Sequence, residues 1–393
     1  MPGRPRIRDL RFDNLLSFGP RGVVVEVQPL NVLIGPNASG KSNILEALAI
    51  LRASASDLAA ALREGGGVEE YLWKGAKVRE VAQLTAAIEE ERGSAESVYF
   101  YLGLTRAGSR LVLDNERIYR VADTGQVSSV VYGMKDGEAK LRTTPDNSEP
   151  ALRRVTVKPD QSVLSQFREP EMYPELTVLA ELFGGIRLFQ EWNFGRGAPS
   201  RRPQPTDLPN DFLSPDASNL GLILHDLGQT SASRDELIGY LRRFYDRARH
   251  ISTKIQGGTL QLYIEEEGGC LTPATRLSDG TLRYLCLLAI LLHPNPPPVI
   301  GIEEPELGLH PDILPTIAEL LRKASERTQL FVTTHSDALV SALSDTPECI
   351  LVCEITPDGT TIERLGSEHL REWLEKYSLG EIWRMGEIGG NRW

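Results

Sequence analysis

Asn31-Val32-Leu33-Ile34, a short apolar run, leads directly into Gly35-Pro36-Asn37-Ala38-Ser39-Gly40-Lys41-Ser42, which has the form G-x-x-x-x-G-K-[ST]. No other stretch constrains the chain as much, because this pattern demands a strand, a tight loop and a helix in that order. Its glycines let backbone N–H groups turn inward around a polyphosphate. Lys41 can reach the terminal phosphates, and the Ser42 hydroxyl can ligate Mg²⁺. The helix starting near Lys41 aims its positive dipole end at the same anion. Gly35, Pro36, Asn37, Ala38, Ser39, Gly40, Lys41, Ser42 and Asn43 are the expected nucleotide-binding residues, with a nucleoside triphosphate as the implied ligand.

Composition narrows the class. The 393 residues can bury a large core, and 41% apolar with 25% charged residues is the balance of a soluble globular protein. No run of about 18 apolar residues predicts a membrane span, and the start Met1-Pro2-Gly3-Arg4 has no secretion signal, so a cytoplasmic protein is expected. Cys270, Cys286, Cys349 and Cys353 lack the spacing of paired metal ligands and are read as reduced thiols. A net charge of −11 argues against a protein that coats DNA, while leaving room for a local basic groove.

Along the chain, Arg6–Phe12 and Gly22–Val27 read as strands, and Lys41 to Arg63 as one long helix stopped by Gly65-Gly66-Gly67. Val81–Glu89, Val98–Thr105, Arg110–Leu113, Arg117–Ala122 and Val127–Tyr132 form an expected antiparallel meander. Helices are expected over Glu171–Phe183, Asn219–Leu227, Arg234–His250, Asp279–Leu292, Asp312–Glu326 and Ser336–Leu343. Strands are expected over Leu260–Glu265, Val299–Ile302 and Gln329–Thr333, with a last hairpin of Cys349–Ile355 and Thr361–Leu365. The Pro- and Arg-rich segment Gly195–Pro215 reads as an exposed loop, in which Arg196–Arg202 could touch a phosphate backbone. The aromatic tail from Trp373 through Trp383 to Trp393 reads as packed back on the protein, with partner docking as the alternative.

Three further motifs carry chemistry. Val299-Ile300-Gly301-Ile302-Glu303-Glu304-Pro305 is an apolar strand ending in two acids. Glu303 is the expected metal-side carboxylate and Glu304 the general base, since phosphoryl transfer relies on positioning and charge neutralisation. Leu277-Ser278-Asp279-Gly280-Thr281-Leu282-Arg283 opens a helix at an N-cap serine, with Gly280 allowing close approach to an anion. Phe331-Val332-Thr333-Thr334-His335-Ser336 sets His335 at a strand's end, where a γ-phosphate contact is needed.

The order of these four elements resembles the ABC-type ATPase heads of the RecF, structural-maintenance-of-chromosomes (SMC) and OLD-nuclease group, over about residues 4–63 and 275–355. The resemblance implies an α/β P-loop NTPase of ABC-ATPase type, with a mixed-sheet core, an antiparallel β subdomain and a helical lobe. One head would span 1–393: a P-loop and β lobe in 1–135, a helical lobe with the signature motif in 136–293 (exposed loop 195–215), and 294–393 beyond. ATP and Mg²⁺ are the implied cofactors, with Ser42 and Glu303 on the metal and Glu304 and His335 catalytic. Ser278 and Gly280 would reach the γ-phosphate of ATP held by a second copy, in a homodimeric ATP sandwich open to larger assembly. The loop Glu306–Pro311 would cross that interface.

The match has gaps. Ala38 stands where many relatives have Gly, a harmless change if its φ is negative. Asp279 replaces a common Gly, and Glu303 replaces a common Asp. No clear Q-loop glutamine is found: Tyr71–Gly75 is the expected place but holds no Gln, and Gln190 is the alternative. Only 58 residues follow His335, fewer than the ~100 of a typical domain, so this chain is not expected to be a nuclease itself. The resemblance implies a partner that supplies the effector activity, such as a Toprim-like or other nuclease. The implied setting is DNA maintenance or phage defence. A RecF-like repair ATPase binding DNA directly is the first alternative, and a transporter nucleotide-binding subunit the second.

Overall fold

Strands that bury alternate side chains dominate the first part of the chain, and in the computed structural model they form an eight-stranded antiparallel sheet. Residues 4–75, 81–91, 93–135, 137–143 and 151–389 are described, so the tail from Gly390 to Trp393 lies outside the described residues. The strands run in the order Val23–Glu26, Arg6–Asp13, Ala82–Glu89, Glu96–Ala107, Arg110–Ala122, Val127–Lys135, Glu138–Thr143, Ala151–Val155. One face carries the apolar core, including Leu10, Leu84, Phe100, Leu102, Ile118 and Leu141.

The two strands expected at Arg110–Leu113 and Arg117–Ala122 are one strand. Opposite it, Gly103 pairs with Asn115 and Leu104 with Leu113, which leaves Asp114 as a one-residue bulge. That bulge resets the alternation and makes one strand look like two in sequence.

The chain divides into two compact units. The first holds the described residues of Met1–Ile186, Ile350–Leu365 and Ile388–Trp393. Besides the antiparallel sheet it contains the P-loop strand Leu30–Ile34, buried at every position. A strand buried on both faces reads as continuous apolar sequence. It pairs in parallel with Ile350–Thr356, which pairs antiparallel with Gly359–Arg364.

The helix after the P-loop is shorter than expected. It ends at Ser54, and a second helix, Leu58–Glu64, begins at the N-cap Asp57, whose Oδ1 accepts from the Ala60 N–H at 2.9 Å. An acidic N-cap satisfies an otherwise orphaned N–H and so favours a new start over continuation.

The second unit comprises Arg187–Cys349 with Gly366–Glu387. Three parallel strands lie in the order Arg187–Phe189, Val299–Glu303, Gln329–Thr333. A separate small sheet contains Ala248–Gln256, Thr259–Glu266, Leu271–Pro273 and Gln204–Pro205. The helix expected to reach His250 therefore stops at Phe244, and 136–293 is not purely helical. Gly257-Gly258, both at positive φ, form the tight turn of the hairpin that captures Ala248–Gln256. At the far end Leu379–Met385, closed by a Ser378–Glu381 capping box, buries Trp383. That part of the tail packs on its own unit, as expected. Among the described residues no helix is long and apolar enough to cross a membrane.

Candidate functional site

The expected site residues fall into two groups, one in each unit, and each group is described within its unit. In the first unit, three loop residues between the buried strand and the fourteen-residue helix Lys41–Ser54 have positive φ: Gly35 at 145°, Ala38 at 62° and Gly40 at 93°. Gly35 and Gly40 have no room for a side chain. A Cβ on Gly35 would stand 2.3 Å from the Cys353 carbonyl oxygen, and one on Gly40 would stand 2.5 Å from Thr360 Oγ1. Lys41 is buried, and its Nζ donates to the carbonyls of Gly35 and Pro36, both at 2.9 Å.

Among the described residues the N–H groups of Asn37, Ala38 and Gly40 meet no protein acceptor. A concave loop of unpaired N–H donors beside a lysine is an anion cradle, so these residues fit a polyphosphate.

At Ala38 the condition for a harmless replacement of Gly is not met, because its φ is positive. An L-residue in this region costs about 1–2 kcal/mol, against about 0.4–1 kcal/mol that Gly loses through unfolded-state entropy. Ala38→Gly is accordingly expected to stabilise the protein by about 0.5–1 kcal/mol, read from urea unfolding. An unchanged midpoint would mean that the loop relaxes to a negative φ at no cost.

Two residues that brace this loop escape a motif search. Asn43 Nδ2 donates to Ser17 Oγ at 2.6 Å, and Thr360 Oγ1 lies 2.7 Å from Ser17 Oγ and 3.0 Å from the Ser39 carbonyl. Ser17 and Thr360 are 343 positions apart, and no local pattern links them. Cys353, whose carbonyl abuts Gly35, is buried, and burial pushes its thiol up to about 12. A buried thiol held protonated in this way is a poor nucleophile.

In the second unit, parallel pairing sets the ends of three strands side by side. Phe189 is opposite Ile302 and Glu303 is opposite Thr333, so Gln190, Glu303 and Thr334 emerge at one edge. Glu304 then turns the chain at φ 44°, a strained conformation for a non-glycine residue. Its N–H donates to the Thr333 carbonyl at 3.0 Å, and Arg283 Nη1 donates to its carbonyl at 3.2 Å. Glu304 Oε1 and His335 Nε2 are 3.6 Å apart, so these two expected catalytic residues are brought together.

Glu306, the first residue of the loop expected to cross an interface, turns its side chain inward. Its Oε1 accepts from the Thr334 hydroxyl at 2.6 Å and the His335 N–H at 2.9 Å. Oε2 is buried with no partner among the described residues, and burial holds the carboxyl above its ordinary range. The rest of that loop does face outward at Leu307, Gly308 and His310.

Ser278 caps the helix Asp279–Leu291, its Oγ accepting from the Thr281 N–H at 3.0 Å. Gly280 has a packing role that the sequence did not reveal. A Cβ there would stand 2.7 Å from the Gly308 carbonyl, so its missing side chain admits the 306–311 loop.

The segment 195–215 is largely exposed, as expected, Arg196 and Arg202 included, but Arg201 within it is pinned. Arg201 is buried and donates from Nε to the Phe194 carbonyl at 2.7 Å, from Nη1 to the Leu277 carbonyl at 2.6 Å and from Nη2 to Asp279. Arg201 therefore fixes the turn before Ser278 and is not available to a phosphate backbone. Glycine and proline content announced a loop, but nothing local announced the carbonyls that hold Arg201.

Among the described residues no three His, Cys, Asp or Glu side chains form a metal cage. Mg²⁺ needs few protein ligands when phosphate and water supply the others, and a hydroxyl with one carboxylate is the hard oxygen set it prefers. Ser42, in the first unit, and Glu303, in the second, each carry a side-chain oxygen of that kind.

Comparison with known proteins adds the following. A family model described as "AAA domain, putative AbiEii toxin, Type IV TA system" matches residues 30–121 and 150–341. A search of curated proteins finds no significant match. Several solved structures share the fold. An Smc head bound to the C-winged helix domain of ScpA aligns with a TM-score of 0.54 at 15% identity, over 93% of this chain and 99% of that one. A Pyrococcus furiosus Smc head with an extended coiled coil, bound to the C-terminal domain of ScpA, gives 0.57 at 13% identity over 95% and 99%. A Pyrococcus yayanosii Smc head with a coiled coil and joint gives 0.55 at 12% identity over 95% and 99%. The fold is therefore that of an SMC-head P-loop ATPase, α/β with mixed and antiparallel sheets.

Proposed function

The chain belongs to the AAA_21 family of AAA domains, and from that premise we propose that it binds and hydrolyses ATP as an ABC-type head that pairs with a second copy. Supporting the reading is one observation above the others: the loop Gly35–Gly40, with three positive φ angles and unpaired N–H donors, delivers Lys41 at the start of a helix. Gly35 to Asn43 hold the triphosphate, and Ser42 with Glu303 hold Mg²⁺. The ion, when bound, neutralises charge on the phosphates. Glu304 takes the proton of the attacking water, and His335 contacts the γ-phosphate. Gln190, level with Glu303 at the strand edge, is the better of the two Q-loop candidates.

Ser278 and the N–H of Gly280 face the γ-phosphate of ATP on the second copy, so that ATP joins two heads and hydrolysis parts them. The pairing would act on a separate effector protein, nuclease-like, in DNA maintenance or defence. That setting rests on the resemblance alone.

Isothermal titration of the wild type and Lys41→Ala with ATP and Mg²⁺ tests the binding half. Removing the one lysine of the cradle should abolish tight binding. A charge-assisted contact of ~1.5–3 kcal/mol corresponds to a loss of roughly ten- to a hundred-fold. Equal affinity of the two proteins would remove the P-loop from the account.

A further inference from the structure

The outer face of the eight-stranded sheet carries a second feature, unrelated to ATP. Cross-strand pairing sets Tyr101 opposite Arg117, Arg117 opposite Gly133, Gly133 opposite Lys140 and Lys140 opposite Arg154. The alternate residues Phe100, Ile118, Tyr132 and Leu141 are buried, so this row lies on the opposite, outward side. Where Gly133 has no side chain the surface dips. The depression, about 380 Å³, is lined by Arg117, Lys135, Lys140, Glu138 and Met134 around that glycine. A Cβ on Gly133 would meet nothing within 4 Å.

These cations are less satisfied than several others on the sheet. Elsewhere on this sheet Arg6 pairs with Glu89, Arg8 with Asp9, Arg11 with Asp13 and Arg120 with Glu90. Among the described residues Lys135 and Lys140 have no ion pair, and Arg117 donates only to Asn115 Oδ1, at 3.1 Å. The acidic neighbours are Glu138, opposite Lys135 and 3.5 Å from Arg154, Asp114, exposed at the bulge, and Asp13, which is itself paired with Arg11. The surface is therefore positive on a protein whose net charge is −11, where a basic patch is not the background. Beside it stand half-buried aromatic rings: Tyr101, and the pair Tyr99 and Tyr119, stacked at 5.4 Å.

We propose that this face binds a single-stranded nucleic acid, with phosphates on Arg117, Lys135 and Lys140 and bases stacked against Tyr101 and Tyr119. Cations track a backbone of either kind, but tyrosines gain from stacking only where bases are unpaired, which favours a single strand over a duplex. This goes beyond the ATPase reading and does not depend on it.

The test is fluorescence anisotropy with a labelled oligothymidylate of about twenty nucleotides, titrated at several salt concentrations. The wild type should bind. Arg117→Ala/Lys135→Ala/Lys140→Ala should weaken binding about tenfold or more at low salt and flatten the log–log salt slope by about 2, or ~0.7 per lost phosphate contact. Tyr101→Ala should weaken binding without altering the slope. A matching melting midpoint shows that the triple variant is folded; should it not be, Lys140→Ala alone carries the reading, with a slope change of about 0.7. The proposal is overturned if the wild type does not bind, if the variants keep wild-type affinity and slope, or if a duplex of equal length binds as tightly as the single strand.

Discussion

Glu304→Gln should leave ATP binding intact and lower turnover by roughly 10²–10⁴-fold, the range for removing a general base. Glutamine keeps the size and shape of the side chain and loses only the ability to accept a proton. The backbone that aims it is held independently, by the Thr333 carbonyl on its N–H and by Arg283 on its carbonyl. The φ of 44° is thus imposed by the surroundings and should persist in the variant. His335, 3.6 Å away, would lose an ionic neighbour but keep its backbone anchor on Glu306. Phosphate release measured beside equilibrium ATP binding separates the two effects. Near-wild-type turnover would mean that another group takes the proton.

Ser278→Arg should be equally severe, for a different reason. Losing the N-cap bond to Thr281 costs about 1 kcal/mol, too little to unfold the protein. On the paired-head reading, however, an arginine there occupies the γ-phosphate contact of the neighbouring copy, and turnover should disappear. Lys41→Ala should also be inactive, through its own P-loop. Mixed together, the two inactive proteins should regain activity. In a mixed pair, one site joins the intact P-loop of the Ser278→Arg chain to the intact signature of the Lys41→Ala chain. If mixing restores nothing, hydrolysis is completed within one chain.

Short-range chemistry was what the sequence made readable. The P-loop, the acidic strand end and the Ser278 cap are local patterns, each set by residues within about two helical turns, and all three take the expected secondary structure. Element ends were legible where a glycine or cap marked them, as at Gly65. Long-range burial was not legible. Arg201 looked like an exposed loop cation because the Phe194 and Leu277 carbonyls that bind it are set by tertiary packing. Glu306 turned inward for the same reason, and Ser17 met Thr360 only through folding. Two boundaries do have local marks: Gly257-Gly258 is a hairpin signal that places a strand before it, and Asp57 is an N-cap inside an apparently continuous helix. Positive φ at Ala38 has none, since nothing in the residue itself announces it.

The pairing of two heads on ATP is the centre of this account, and sedimentation velocity addresses it most directly. Glu304→Gln protein should sediment as a monomer without nucleotide and as a dimer, or a larger assembly of paired heads, with ATP and Mg²⁺. Adding Ser278→Arg to the same chain should return it to the monomer position with ATP still bound. A Glu304→Gln protein that binds ATP and yet sediments identically with and without it would contradict the account.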